Sequence, residues 1–246
     1  MDRAIYLAMQ GASNALLAQT TNSHNLANVN TVGFKADIDH FKALPVYGPG
    51  YASRVYTEDQ RAGANFQSGP LMTTGRELDV AVRGEGWIAV QAPDGTEAYT
   101  RAGDLRIDSA GILTNGAGHP VLGNGGPIAI PPAQKIEIGS DGTVSIIPLE
   151  GQVNQPVALD RVRLVNPPAA DLEKGKDGLF RAREGTAVAP DARVTLVSGT
   201  LESSNVNPVD SMVKMIEYSR MFETQTKMMK TIEETEKAAS QLLRLS

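Results

Sequence analysis

Apolar residues follow two rhythms along this chain of 246 residues. Near the start, Ile5, Ala8/Met9, Ala12, Ala15/Leu16 and Leu26 recur at steps of three and four, which predicts a helix from Met1 to about Asn28. Near the end, Met212, Ile216, Ser219, Phe222, Thr226, Met229, Ile232, Ala239 and Leu243 keep similar spacing, giving a coiled-coil-like stripe diluted by small polar residues. Asn207 is placed to cap this second helix, Pro208 fits its first position, and Asp210 complements the helix dipole. The pairs Asp210–Lys214, Glu223–Lys227 and Glu233–Lys237 set an acid four residues before a base, the supportive order. Between the two helices the rhythm changes to short alternating or apolar runs, at Leu78–Arg83, Trp87–Gln91, Glu97–Arg101, Ile128–Ile130, Lys135–Ile138, Thr143–Ile147, Val157–Val165 and Arg193–Val197. These read as strands.

Glycine and proline sharpen the division. Of 24 glycines, 22 lie between Ala36 and Thr200, and so do 13 of 14 prolines, so the ends are free to form long helices while the centre must turn often. Asp94-Gly95, Asp141-Gly142 and Asp177-Gly178 are turn dipeptides, and no helical pattern long enough for a βαβ crossover separates the runs. The expected fold is therefore α+β: long N- and C-terminal helices paired as a coiled coil, with a central antiparallel β-rich domain, barrel- or sandwich-like. The expected segments are residues 1–35 for the N-terminal helix, 36–72 for an extended connector, 73–198 for the β-rich domain and 199–246 for the C-terminal helix.

Charge placement adds a functional hint. Between Arg3 and Lys35 there is no Asp, Glu, Lys or Arg; the polar face of the first helix is made of amides and hydroxyls, among them Gln10, Asn14, Gln19, Asn22 and Asn25. Such a face suits burial against other polar helices, where hydrogen bonds avoid the cost of dehydrating a full charge. Five of eight methionines, Met212, Met215, Met221, Met228 and Met229, fall on the C-terminal helix, as suits an adaptable helical interface. A narrow stripe on so long a helix gains too little from one thin partner, so the two ends are expected to pair with each other and with other subunits.

Chemistry is harder to find. A formal net charge of -5 argues against nucleic-acid binding, and the lack of cysteine excludes thiol catalysis, disulfides and Cys-based metal sites. His24, His40 and His119 stand far apart in unlike contexts. Gly84-Glu85-Gly86 and Gly123-Asn124-Gly125-Gly126 lack the further residues of a phosphate loop and read as tight turns. Gly11-Ala12-Ser13-Asn14-Ala15 imitates a nucleophile elbow but lies inside a helix. Asp104 and Asp108 are acids beside turns, and Trp87 opens an apolar strand as a core-filling residue. No enzyme activity, cofactor or metal is expected. No apolar run is long enough to span a bilayer, and Asp2 and Gln10-Gly11 spoil a cleaved secretory signal, so no membrane insertion is expected.

Two long stretches carry a resemblance. SHNLANVNTVGFK, Ser23 to Lys35, is similar to the N-terminal signature of bacterial flagellar axial proteins, the rod, hook and hook-associated set. Its motif residues here are Asn25, Leu26, Ala27, Asn28, Gly33 and Phe34, with His24 where the family generally has Asn. GTLESSNVNPVDSMVKMIEYSRMFETQTKMMKTIEE, Gly199 to Glu234, resembles the matching C-terminal signature, with Ser204, Asn205, Val206 and Asn207 as its motif residues. The centre, Thr73 to Leu113, resembles the core of the rod and hook group; MDRAIYLAMQGAS, Gly86-Trp87 and GHPVLGNGGPIAIP look most like its proximal-rod members.

The resemblance implies a structural subunit of the basal-body rod in the periplasmic space. Its terminal helices would build a hollow shaft that transmits torque and allows export, with the β-rich domain outside. Partners would be other proximal-rod subunits, the distal-rod protein and further copies of the chain, with no nucleic acid. Export would use the flagellar type III apparatus without a cleaved signal. On this reading Ile5, Leu16 and Leu26 pack against Met212, Ile216, Phe222, Met229 and Ile232. The alternatives are another flagellar axial protein, distal rod or hook, and a periplasmic carbohydrate-binding or carbohydrate-active protein.

Overall fold

Without proline, and with Gly11 as its one glycine, Ala4–Ala27 forms a single helix, α1. Strands β1 (Asp37–Pro45) and β2 (Val55–Ala64) follow and pair as an antiparallel ladder with an irregularity between Ile38 and His40. Helix α2 (Pro208–Arg244) ends the fold. This computed structural model describes residues 4–45, 55–149, 155–183 and 188–244. It divides into two compact units: Met1–Asn28, Asp37–Ala64 and Val206–Ser246 in one, Val29–Ala36 and Asn65–Asn205 in the other.

In the helical unit, the buried face of α1 consists of Ala8, Ala12, Ala15, Ala18, Asn22 and Asn25, at steps of four and three. On α2, Ser211 is buried, and Met215, Tyr218, Phe222, Gln225, Thr226, Met229 and Ile232 are half-buried at comparable steps. Alanine lets helix backbones approach closely. A Cβ added at Gly11 would stand 2.8 Å from Cδ of Gln225, so the absence of a side chain makes room for an α2 residue. Asn22 Nδ2 donates to the Ser211 carbonyl at 2.7 Å, a polar tie between the two helices that is itself buried.

The start of α2 is built as its sequence requires. The Asn207 side-chain oxygen accepts from the Val209 and Asp210 amides at 3.0 and 3.4 Å, and Ser211 N donates to the Asn207 carbonyl at 3.0 Å. Lys214–Asp210 and Lys237–Glu233 close ion pairs at 2.7 and 2.6 Å on the exposed side. Asn207→Ala removes the cap and is expected to cost about 1 kcal/mol. A lower thermal midpoint of the helical circular dichroism signal checks this; an unchanged midpoint would show those bonds to be idle.

The second unit is a set of small antiparallel sheets. The largest has five strands, in the order Leu164–Val165, Trp87–Gln91, Glu97–Thr100, Phe180–Ala182, Leu172–Lys174. A second has three, Val157–Arg161, Thr143–Pro148 and Ala133–Ile138. Two-stranded ladders join Val80–Arg83 to Thr195–Ser198, Leu71–Thr73 to Thr200–Glu202, and Arg106–Ile107 to Leu113–Thr114. Their buried residues share one apolar core around Val80, Ile88, Val90, Leu105, Leu113, Val121, Ile128 and Val144. The Asp-Gly pairs turn the chain between adjacent strands; at the first, the Asp94 side chain accepts from Thr96 N and Oγ1 at 2.9 and 2.6 Å.

The expected architecture is corrected in two respects. Coiled-coil pairing needs large apolar knobs at the contact, whereas α1 buries alanines and asparagines and leaves Leu16 47% exposed. A barrel or sandwich needs long continuous ladders. Glycine and proline instead interrupt the centre so often that, among the described residues, the sheets stop at two, three or five strands.

Candidate functional site

Within the β-rich unit, Lys35 from the N-terminal signature and Glu202 from the C-terminal one come together in a buried ion cluster. Glu202, at the end of its short strand, accepts from Lys35 Nζ at 2.7 Å through one carboxylate oxygen and from Arg101 Nη1 at 2.9 Å through the other. Side-chain exposures of 0% for Lys35, 1% for Glu202 and 4% for Arg101 mean that bulk water does not screen these charges. Each is held further. Lys35 Nζ donates to the Gln67 carbonyl at 2.8 Å, Gly69 N donates to Glu202 Oε1 at 3.0 Å, and Arg101 Nη2 donates to the Gly84 carbonyl at 2.7 Å. Trp87 lies under the guanidinium with its ring centre 5.4 Å away and packs on Phe180 and Phe66 at centroid distances of 4.5 and 5.9 Å.

Local conformation delivers these groups. Gly33 adopts a φ of 67°, its amide donates to the Glu202 carbonyl at 2.8 Å, and any Cβ there would collide with the Arg101 backbone. Only glycine meets both demands at low cost. Asn205 then stitches the neighbouring strands. Its Oδ1 accepts from Ala36 N at 2.8 Å, and its Nδ2 donates to the Asn65 and Gln67 carbonyls at 2.8 and 3.0 Å. Lys174 Nζ donates to the Lys35 carbonyl at 2.7 Å and sits 4.1 Å from the centre of the Phe34 ring.

Burial pushes the Lys35 ammonium below the ordinary value of 10.5, with Arg101 adding to the shift and Glu202 opposing it. The folded chain therefore releases this proton before the unfolded chain does. The group's contribution to stability rises with pH between the lowered value and 10.5, and is lost as pH falls through the lowered value. The unfolding free energy of the wild type minus that of Lys35→Met is accordingly expected to grow over that alkaline window, read by urea unfolding with Trp87 fluorescence. A difference that stays flat would mean that the ammonium titrates normally.

The residues singled out from the sequence fall into both units. Asn25 ends the buried face of α1, exchanging bonds with the Asp37 backbone: its Nδ2 donates to the carbonyl at 2.9 Å and its Oδ1 accepts from the amide at 2.8 Å. Leu26 is half-buried, Ala27 exposed, and the Asn28 amide donates to the His24 carbonyl at 3.2 Å. Gly33 and Phe34, with Ser204 and Asn205, belong to the β-rich unit, while Val206 and Asn207 belong to the helical one. Each signature thus spans the point where the chain passes from one unit to the other. On the helices, Ile5, Phe222, Met229 and Ile232 are half-buried, whereas Leu16, Met212 and Ile216 are exposed. Lys35, Arg101 and Glu202 escaped sequence reasoning, although each lies inside a stretch that carries the family resemblance, and Lys35 is the first charge after a long uncharged run.

Among the described residues no three His, Cys, Asp or Glu side chains group to hold a metal ion, and no helix is long and apolar enough to cross a membrane. The arrangement holds chain segments together; it offers no nucleophile with a base beside it.

Comparison with known proteins finds likeness at both ends of the chain and in its centre. Three family profiles match: "Flagella basal body rod protein" over residues 5–35, "Flagellar hook protein FlgE/F/G D1 domain" over 81–146, and "Flagellar basal body rod FlgEFG protein C-terminal" over 197–242. The chain is 41% identical to the flagellar basal-body rod protein FlgF of Salmonella typhimurium and 39% identical to that of Escherichia coli, each over the whole of both chains. It is 36% identical to the rod protein FlgG of Bacillus subtilis, covering 95% of this chain and 96% of that one. The chain therefore belongs to the FlgF-like flagellar basal-body rod protein family and is a structural subunit of the bacterial basal-body rod.

Proposed function

We propose that the chain builds the proximal segment of the rod through its terminal helices, which line a hollow shaft that carries torque and lets export substrates pass. The observation that carries this reading is the apolar surface left on both helices. Tyr6, Met9, Leu16 and Leu17 on α1, and Val209, Met212, Val213 and Ile216 on α2, are exposed in the single chain. Large exposed apolar side chains on adjacent turns mark surfaces that other proteins cover. On this proposal the set Ile5, Leu16, Leu26, Met212, Ile216, Phe222, Met229 and Ile232 serves contacts between chains as well as within one. The covering partners are other proximal-rod subunits, further copies of this chain and the distal-rod protein. The subunit works in the periplasmic part of the basal body, reaches it by the flagellar type III apparatus, and catalyses nothing.

Labelling the chain in purified basal bodies tests its position, and label at the proximal end of the rod is the expected result. Phe222→Asp is expected to abolish incorporation and motility while Trp87 fluorescence still reports a folded β-rich unit. Label on the distal rod or hook, or normal motility in Phe222→Asp, would overturn the assignment.

A further inference from the structure

The ion cluster has two cations for one anion, Lys35 and Arg101 against Glu202. It also has an unused donor. Arg101 Nε is buried and has no hydrogen-bond partner, although both other nitrogens of the same guanidinium are engaged. A buried N–H without an acceptor is costly and is rare in a native fold. This side chain lines a cleft of about 290 Å³ in the β-rich unit, walled by Phe66, Trp87, Pro167 and Leu172, with Glu85 and Asn166 also on its lining. A volume at or below the ~300–1,000 Å³ usual for small-molecule sites suits one side chain better than a cofactor.

We propose that this cleft receives a carboxylate carried by an acidic side chain of a partner chain, with Arg101 Nε donating to it and the aromatic and proline walls covering its methylene stem. The surplus positive charge supplies the attraction, and the contacts to Glu202 and Gly84 hold the guanidinium ready, so little freedom remains to be lost on binding. Glutamate fits better than aspartate because its longer stem carries the carboxylate past the apolar walls. Glu85 is exposed and opposes the incoming charge across solvent, which favours a ligand that reaches the buried donor over a loosely held ion. A partner-borne ligand rests on the reading of the chain as an assembling subunit; the binding chemistry is a property of this one chain.

Trp87 is the chain's single tryptophan and lies in the cleft, so its fluorescence reports occupancy. The full chain would be titrated with acetyl-Gly-Glu-Gly-amide, with the Gln peptide and with sodium acetate. A saturable response to the Glu peptide is expected, at least about tenfold weaker for the Gln peptide and for acetate. Glu85→Gln should tighten binding about twofold to fivefold by removing a like charge. Arg101→Lys should weaken it about tenfold or more, and because that variant disturbs the cluster, Ala169→Leu provides an independent check by filling the cleft away from it. Equal responses to the Glu and Gln peptides, acetate binding as tightly as the Glu peptide, no response at all, or undiminished binding in Ala169→Leu would each overturn the proposal. Incorporation into basal bodies is scored separately, so a failed titration with normal incorporation removes the cleft and leaves the rod assignment intact.

Discussion

Glu202→Gln is expected to destabilise the β-rich unit by about 3–5 kcal/mol, the cost of leaving buried charges without their partner. The carboxylate accepts from Lys35, Arg101 and the Gly69 amide, and all of it is out of water. A carboxamide keeps the shape, yet it removes the anion that pairs with both Lys35 and Arg101 and turns one accepting end into a donor. Measured against the ~5–15 kcal/mol of a typical domain, that loss is a large fraction. Urea unfolding followed by Trp87 fluorescence reads it, since Trp87 sits over the cluster. Replacing Lys35, Arg101 and Glu202 together by Met, Met and Leu should recover only part of the loss. Apolar replacement removes the charge penalty but takes the Glu202 acceptor from the Gly69 amide, the Arg101 donor from the Gly84 carbonyl, and one of the two donors from the Gln67 carbonyl, which keeps Asn205. A shift under about 1 kcal/mol for Glu202→Gln would mean that the cluster contributes no more than a surface pair.

This cluster also shows where sequence reading stops. Glu202 lies 167 residues from Lys35 and 101 from Arg101 along the chain, and no periodicity links residues so far apart. Local signals fared better because their partners are near. Asn207 caps α2 two and three residues on, and Asp94-Gly95 turns a hairpin whose strands begin within a few residues of it. The α1 face was legible in part. Ala8, Ala12 and Ala15 lie on the apolar stripe read from the sequence, but hydrophobic periodicity gives little weight to small or polar side chains, so Ala18, Asn22 and Asn25, which complete the buried face, do not stand out. The β1–β2 hairpin was quiet for want of a clean alternation: its first strand is largely exposed and its ladder is irregular near Ile38. The functional class was legible through the two signatures, and the geometry gives a reason for their residue choices. Gly33 and Asn205 sit where backbone approach and side-chain stitching leave few substitutes.

Met212→Asp with Ile216→Asp is expected to abolish rod assembly and motility while leaving the free chain folded. Both side chains are 55% exposed in the single chain, one turn apart on α2. Within that chain the change therefore costs below about 1 kcal/mol per site, mostly from helix propensity. Covered by a neighbouring subunit, the same two carboxylates would be drawn out of water without partners, at several kcal/mol each, roughly 2–7 kcal/mol by analogy with buried polar groups. The penalty recurs in every subunit that contributes this face, so a change small for folding becomes decisive for the filament. Helical circular dichroism of the free chain should match the wild type, and purified basal bodies should lack the variant. Glu223→Gln, exposed on the same helix and removing a charge without adding one to an apolar surface, should remain motile. If the double aspartate variant swims normally, the apolar surface of α2 faces solvent in the rod, and assembly must run through the half-buried row of Met215, Phe222 and Met229.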